Sequence, residues 1–230
     1  MEEETTGLLS VVATPIGNME DITLRALRVL GECDYLLCED TRVTGKLLAR
    51  HEIKTRMRRY DAHASEKAHE EIIADLEAGK HIALVSDAGT PGVSDPGVFL
   101  VSRIRAEVPK VRIDAIPGAS AVTTAFSIAG ISGNQFCFLG FIPQKKGRKT
   151  FFETLPSFMY PVIFFESTHR IMKTLASLAE TSPKATVYIG RELTKMHEEM
   201  IIGTAQEIFE ILEAQPVRQK GEFVVIVSTT

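Results

Sequence analysis

The chain has 230 residues, 44% hydrophobic and 24% charged, with a formal net charge of −4. Those values suit a globular protein of one large or two small domains and argue against one that coats nucleic acid by bulk attraction. They come with no apolar run near the ~20 residues of a membrane span, no basic-then-apolar leader, and three cysteines (Cys33, Cys38, Cys137) without metal-ligand spacing, so a reduced cytoplasmic protein without membrane or metal is expected. The first predicted element is a strand over residues 8–13, apolar and β-branched, which breaks at Thr14-Pro-Ile-Gly-Asn18. Asp21 is the expected cap of a helix whose Ile22, Leu24, Ala26, Leu27 and Leu30 recur at helical spacing. A strand over residues 35–38 ends in Glu39-Asp-Thr-Arg42, a helix follows over 45–50, and 54–60 read as a strand. Residues 69–78 read as a helix closed by Gly79, and 81–86 as a strand. A helix over 98–107 and a strand over 111–115 precede Pro117-Gly118.

This alternation predicts an α/β domain, residues 1–117, with a parallel doubly wound sheet whose loops gather on one edge. Beyond it, helices are predicted at 119–130, 151–155, 168–180 and 204–214, and strands at 135–141, 161–165, 186–190, 198–203 and 222–228. Several of these strands can pair antiparallel, so residues 118–230 are expected to form a second α/β domain with a mixed sheet.

The most informative stretch begins at Ile82, where a short apolar run meets Ser86-Asp-Ala-Gly-Thr-Pro-Gly-Val-Ser-Asp-Pro-Gly97. Pro91 and Pro96 stiffen this loop, while Gly89, Gly92 and Gly97 permit close backbone approach. It reads as a small-molecule cradle at a strand's carboxyl end; the plainer reading is a tight turn whose Asp and Ser cap the next helix. No GxGxxG follows the first strand, no GxxxxGK[ST] exists, and Ser120 does not lie in GxSxG. Nicotinamide and nucleoside-triphosphate chemistry are thereby disfavoured. A ligand with a cationic or amine end fits the carboxylates better. Two basic runs, Lys54-Thr-Arg-Met-Arg-Arg59 and Lys145-Lys-Gly-Arg-Lys149, stand out against the acidic balance, the second expected on an exposed loop.

Seven short tags occur in one order: Val12-Ala-Thr-Pro-Ile-Gly-Asn18, Glu39-Asp-Thr-Arg42, Val85-Ser-Asp-Ala-Gly-Thr-Pro91 with Ser94-Asp-Pro-Gly97, Pro117-Gly118, Glu166-Ser-Thr-His-Arg170, Arg191-Glu-Leu-Thr-Lys195 and Lys220-Gly-Glu-Phe223. The series resembles the ribosomal RNA small subunit methyltransferase I family of the tetrapyrrole methylase superfamily, over roughly residues 8–228. The resemblance implies an S-adenosylmethionine-dependent enzyme that methylates the ribose 2′-oxygen of a cytidine in the decoding region of small-subunit (16S) rRNA. It also implies two α/β domains with a cofactor cleft between them, a homodimer, and free rRNA or the 30S subunit as partner. Matched to the superfamily's cofactor loops are Pro15, Asp87, Ala88, Gly89, Pro91, Val93, Ser94, Asp95, Ser120, Ala121, Phe165 and Glu166.

A plausible phosphate-gripping set is Arg42, Arg170, Arg191 and Lys195, extended by Lys145, Lys146, Arg148 and Lys149. Candidates for a base toward the hydroxyl are Glu39, Asp40, His63, Glu166, Glu192 and Lys195. Glu39 and Asp40 could equally pair with Arg42, and Glu166 with Arg170; His169 reads as packing or as a substrate contact. Where members often carry His, His-Asn-Glu and an aromatic, this chain has Val43, His63-Ala-Ser-Glu66 and Met196-His197, so no RNA role is carried over there. Some members extend past the last strand, and an RNA-gripping tail is expected to be absent here. Two other readings are a methylase of a tetrapyrrole or corrin precursor and a non-catalytic ribosome-assembly factor binding the same cofactor.

Overall fold

The computed structural model describes residues 6–94 and 97–228. Its contacts divide the chain into two units, one ending at Ser120 and one starting at Ala121.

The first unit contains β1 (Leu8–Val12), α1 (Leu24–Glu32), β2 (Tyr35–Cys38), α2 (Thr41–Arg50), β3 (Met57–Arg59), α3 (Glu66–Glu77), β4 (His81–Leu84), α4 (Gly97–Glu107) and β5 (Arg112–Ile116). Its five strands pair in the order β3-β2-β4-β1-β5, and every pairing is parallel. The central strands β1, β2 and β4 are largely buried on both faces, which is why they read as continuous apolar runs rather than alternating ones, while the edge strands β3 and β5 do not. Leu9, Leu37, Ile82 and Leu84 point to one face and pack on Ile72 and Leu76 of α3 and Leu100 and Ile104 of α4. Val12, Leu36, Cys38 and Ala83 point to the other, against Ala26 and Leu30 of α1 and Leu48 of α2. The chain thus leaves β1 toward one face and β4 toward the other, which makes the carboxyl ends of these neighbouring strands the switch point of the sheet.

The second unit contains α5 (Ala121–Ala129), β6 (Cys137–Phe141), α6 (Arg148–Thr154), β7 (Val162–Ser167), α7 (Ile171–Thr181), β8 (Thr186–Arg191), β9 (Glu199–Gly203), α8 (Ala205–Ala214) and β10 (Glu222–Ser228). The sheet order is β6-β7-β10-β8-β9, with β6 and β7 parallel and the other pairings antiparallel. Phe164, Val187, Ile189, Phe223 and Val225 form a core with Phe152 of α6, Leu175 of α7 and Ile208 of α8, while α5 packs against β10 and β8. The expected mixed sheet is therefore present.

Each predicted strand and helix has a counterpart, with differences at the ends. The cap of α1 is Thr23, whose side chain accepts from Ala26 N, and not Asp21, which closes a short 3-10 turn before extended Ile22. Helix α2 starts at Thr41, four residues before the expected point, because the Asp40 carboxylate caps it by accepting from Arg42 N. Ser65 likewise starts α3 early, by accepting from Ala68 N. The 145–149 run is not wholly loop: α6 begins at Arg148, which turns inward while Lys145, Lys146 and Lys149 are exposed.

Candidate active site

At the switch point the loops after β1 and β4 are sewn together by backbone. Thr14 N donates to Gly89 O at 2.9 Å and Gly89 N returns to Thr14 O at 3.1 Å. The buried Thr14 hydroxyl donates to Ser86 O at 3.1 Å, and Ser86 Oγ donates to Gly89 O at 3.3 Å. Gly89 adopts φ 81°, a left-handed conformation that closes the loop. The loop after β5 joins the same edge: Ala13 N donates to Ile116 O at 3.0 Å, and Thr90 Oγ1 to Ala119 O at 3.4 Å. A Cβ on Gly118 would lie 3.0 Å from the Ala13 Cβ, so the approach requires a small residue. Sequence reasoning missed the tying roles of Thr14 and Ser86; the available signal was a hydroxyl residue two positions past each strand.

Of the residues matched to cofactor loops, Pro15, Gly89 and Pro91 are buried, whereas Asp87, Ala88, Val93 and Ser94 are exposed. Asp95 lies outside the described residues. Ser120 is half-buried and ends the first unit, and Ala121 opens α5 in the second. Asp87 Oδ1 accepts from Asp40 N at 3.1 Å, which ties the β2 loop to the β4 loop. Asp40 also chelates Arg42, Nη2 to Oδ2 at 2.5 Å, and this guanidinium holds its carboxyl well below the usual carboxylate range. Glu39 stands half-buried beside it, and His63 is exposed on the following loop.

The other candidates lie in the second unit, in two ion clusters. Glu166, on β7, is buried: Oε1 meets Arg170 Nε at 2.7 Å and Ser167 N at 2.7 Å, while Oε2 accepts from Thr174 Oγ1 at 2.6 Å and lies 3.7 Å from Arg148 Nη1. Arg148 also donates to Thr174 Oγ1 at 2.9 Å and lies over the Phe152 ring. Phe165, one residue away, stacks edge-on with Phe138 and Phe141. Arg191 is buried, donating to Lys220 O at 2.7 Å and His197 O at 3.2 Å and pairing with Glu199 at 3.0 Å. Lys195 bridges Glu192 and Glu222 at 3.0 Å each; burial alone would lower its ammonium, but these carboxylates outweigh that and raise it. Glu192 (φ 48°) and Thr194 (φ 65°) hold that loop in left-handed turns. The arginines proposed to grip phosphate are thus spent on protein carboxylates and carbonyls, while Lys145, Lys146, Lys149 and His169 face solvent.

Among the described residues there is no cluster of three or more His, Cys, Asp or Glu able to hold a metal, and no helix long and apolar enough to cross a membrane. What the first unit does offer is a stiff edge of backbone groups with the exposed carboxylate of Asp87.

A parallel sheet with this switch point, followed by a mixed sheet, is the architecture of tetrapyrrole methylases. A cobalt-precorrin-4 methyltransferase of cobalamin biosynthesis aligns with TM-score 0.69 at 16% identity, over 96% of this chain and 94% of its own. A uroporphyrin-III C-methyltransferase from Thermus thermophilus, solved with S-adenosyl homocysteine, aligns with TM-score 0.63 at 17% identity, over 96% and 97%. The family model described as Tetrapyrrole (Corrin/Porphyrin) Methylases matches residues 8–208. Two proteins named Ribosomal RNA small subunit methyltransferase I lie much nearer in sequence. The one from Neisseria meningitidis is 43% identical over 223 residues, 96% of this chain and 75% of its own; the one from Thermotoga maritima is 40% identical over 222 residues, 96% and 98%. The chain belongs to the tetrapyrrole methylase family and, within it, to the ribosomal RNA small subunit methyltransferase I group.

Proposed function

We propose that this protein transfers a methyl group from S-adenosylmethionine to 16S ribosomal RNA in the small subunit, at the ribose 2′-oxygen of a cytidine in the decoding region. The observation that carries this reading is 40–43% identity, over 96% of the chain, to relatives named for small-subunit rRNA methylation. Corrin and porphyrin methylases are far more distant, at 14–18% identity among the solved structures, so they speak for the fold.

The β1 and β4 loops fit a sulfonium donor by their chemistry. Close approach at Gly118 and the left-handed Gly89 leave backbone carbonyls and amides at the edge rather than bulky side chains. Exposed Asp87 suits an ammonium or a pair of ribose hydroxyls; its Oδ2 accepts no hydrogen bond among the described residues. Pro91 and the Thr14–Gly89 bridge keep this edge in one shape, so little ordering cost falls on binding. Bound here, the donor supplies an electrophilic methyl group.

The chain's own groups set limits on how the acceptor is activated. Asp40 is a weak base because Arg42 holds it ionised, and Lys195 is kept protonated by its two carboxylates. Glu166 has both oxygens engaged. Glu192 is likewise paired, with Lys195, which leaves Glu39 and His63 of the base candidates. Alignment and exclusion of water supply the rest of the acceleration, and positioning alone is worth up to ~7–11 kcal/mol.

The protein works in the cytoplasm, where small subunits assemble, and as a homodimer; exposed Leu139 and Phe141 on the edge strand β6 support self-association. The test is transfer of tritiated methyl to isolated small subunits, with the rRNA digested to nucleosides. Label in 2′-O-methylcytidine is expected. Label on a base, or only in a tetrapyrrole, would overturn the reading, and cofactor binding without transfer would favour an assembly factor.

A further inference from the structure

Between Thr41 and Tyr60 the chain carries seven basic side chains (Arg42, Lys46, Arg50, Lys54, Arg56, Arg58, Arg59) against one acid, Glu52, in a protein of net charge −4. Folding sorts them. Arg42 is held by Asp40, Arg58 by Glu71 at 2.7 Å and Arg59 by Asp61 at 2.9 Å. Lys46, Arg50, Lys54 and Arg56 are exposed and have no ion pair among the described residues. Lys46 and Arg50 continue from Arg42 at four-residue spacing along the solvent face of α2, about 6 Å of rise per step. Lys54 and Arg56 prolong the line on the loop into β3, the outermost strand of the sheet.

Beside these cations opens a cavity of about 670 Å³, lined by Gly45, Leu48, Ala49, Ile53 and Met57, with Glu52, Lys54 and Thr55 supplying its polar walls. Leu48, Ala49, Ile53 and Met57 give it an apolar side, and Gly45 keeps it roomy: a Cβ there would meet only the Met57 methyl, at 3.6 Å. An apolar slot beside a row of solvated cations matches a single strand of RNA, whose phosphates want the cations and whose unstacked bases want the slot. The row begins at Arg42, next to the loop edge assigned above to the donor, and runs toward the amino ends of the strands.

We propose that this α2–β3 flank is a second RNA-binding track, with Lys46, Arg50, Lys54 and Arg56 on successive phosphates of a single-stranded segment and one unstacked base in the Gly45–Met57 slot. It rests on the rRNA reading for its substrate class, and extends it to residues outside the motif-matched set.

The test is fluorescence anisotropy of the full chain with a labelled single-stranded oligoribonucleotide of about twelve nucleotides, at several salt concentrations. In the K46A/R50A/K54A/R56A variant, affinity should fall at least about tenfold at low salt, and the log–log salt slope should flatten by about 3, at ~0.7 per phosphate contact. Gly45→Met, which fills the slot, should weaken binding without changing the slope. Exposed Lys67 and Arg105, on α3 and α4 at the opposite face, serve as controls, and K67A/R105A should bind as the parent does. Unchanged affinity and slope in the quadruple variant would overturn the track, even if the parent methylates rRNA. A parent that binds through these four cations yet labels no rRNA would leave the track standing and sink the methylation reading. Calorimetry with S-adenosylhomocysteine should give the same affinity for parent and all variants.

Discussion

Arg148, Arg170 and Arg191 in the second unit are turned inward onto Glu166 and Glu199, whereas Lys46, Arg50, Lys54 and Arg56 in the first reach solvent with no counter-ion among the described residues. An inward arginine with a buried carboxylate fixes a loop and has little left to offer a phosphate. A solvated cation contributes little to the fold, since even paired surface charges contribute only about 0–1 kcal/mol, and it keeps its charge for a polyanion. Motif identity points toward the inward set; exposure points toward the outward one.

The sharpest way to break that contrast is at Glu166. Replacement by Ala strands Arg170 and Arg148 against an apolar core, and removing one partner of a buried pair costs roughly 3–5 kcal/mol. The two arginine side chains are 17–18% exposed, so the lower end is expected, seen as a fall of several degrees in thermal midpoint. Glu166→Gln, whose one carbonyl oxygen can still accept from Ser167 N or from Thr174 Oγ1 but not both, should fall less. An Ala variant with the parent's midpoint but no methyl transfer would move Glu166 from scaffold to active site.

Asp87 probes the opposite case, an exposed carboxylate with a job at the loop edge. Asp87→Ala should weaken S-adenosylhomocysteine binding by about 10–100-fold, the loss of one charge-assisted hydrogen bond of roughly 1.5–3 kcal/mol. Stability should change little, because among the described residues its one hydrogen bond is with the Asp40 amide. Unchanged calorimetric affinity would remove Asp87 from the donor site.

How far such roles can be read from sequence follows from the same contrast. The central strands of the first sheet announced themselves because burial on both faces needs apolar runs, and β2 was legible to the residue. Helix starts were less legible where two capping residues compete, as at Asp21 and Thr23. The early start of α2 mattered most: with the helix taken from Gly45, the four-residue spacing of Arg42, Lys46 and Arg50 was hidden, and the basic run at 54–59 stood alone. Ion pairing was legible only at short range. The local pairs Asp40–Arg42 and Glu166–Arg170 were expected and are present, but Glu166 also meets Arg148 from α6, and Arg191 meets carbonyls some 26–29 residues away, contacts that only tertiary folding creates. The cradle loop was visible as composition, while its fastening through Thr14 was not.

The smallest effect separates the units by acid. In the second unit, burial would raise Glu199 and Glu192, but Arg218 and Arg191 around the former and the Glu222 amide and Lys195 at the latter outweigh it and lower both. Depressed carboxylates contribute stability that is present above their unfolded values and is lost as pH falls through the folded ones, so nothing from them is lost above about pH 5. In the first unit, His81 at the start of β4 is half-buried, with Nε2 2.9 Å from Ser10 Oγ. Burial lowers its imidazole, against the opposing pull of Asp34, Glu32 and Asp114 and alongside the push of Arg112. The unfolded chain therefore binds a proton that the folded one refuses, and stability drops as pH falls from about 6.5 toward the depressed folded value. Between pH 7 and 5.5 the parent's thermal midpoint should decline slightly while that of His81→Gln stays flatter. Parallel slopes in the two proteins would assign the loss to another group and dissolve the difference between the units in this pH range.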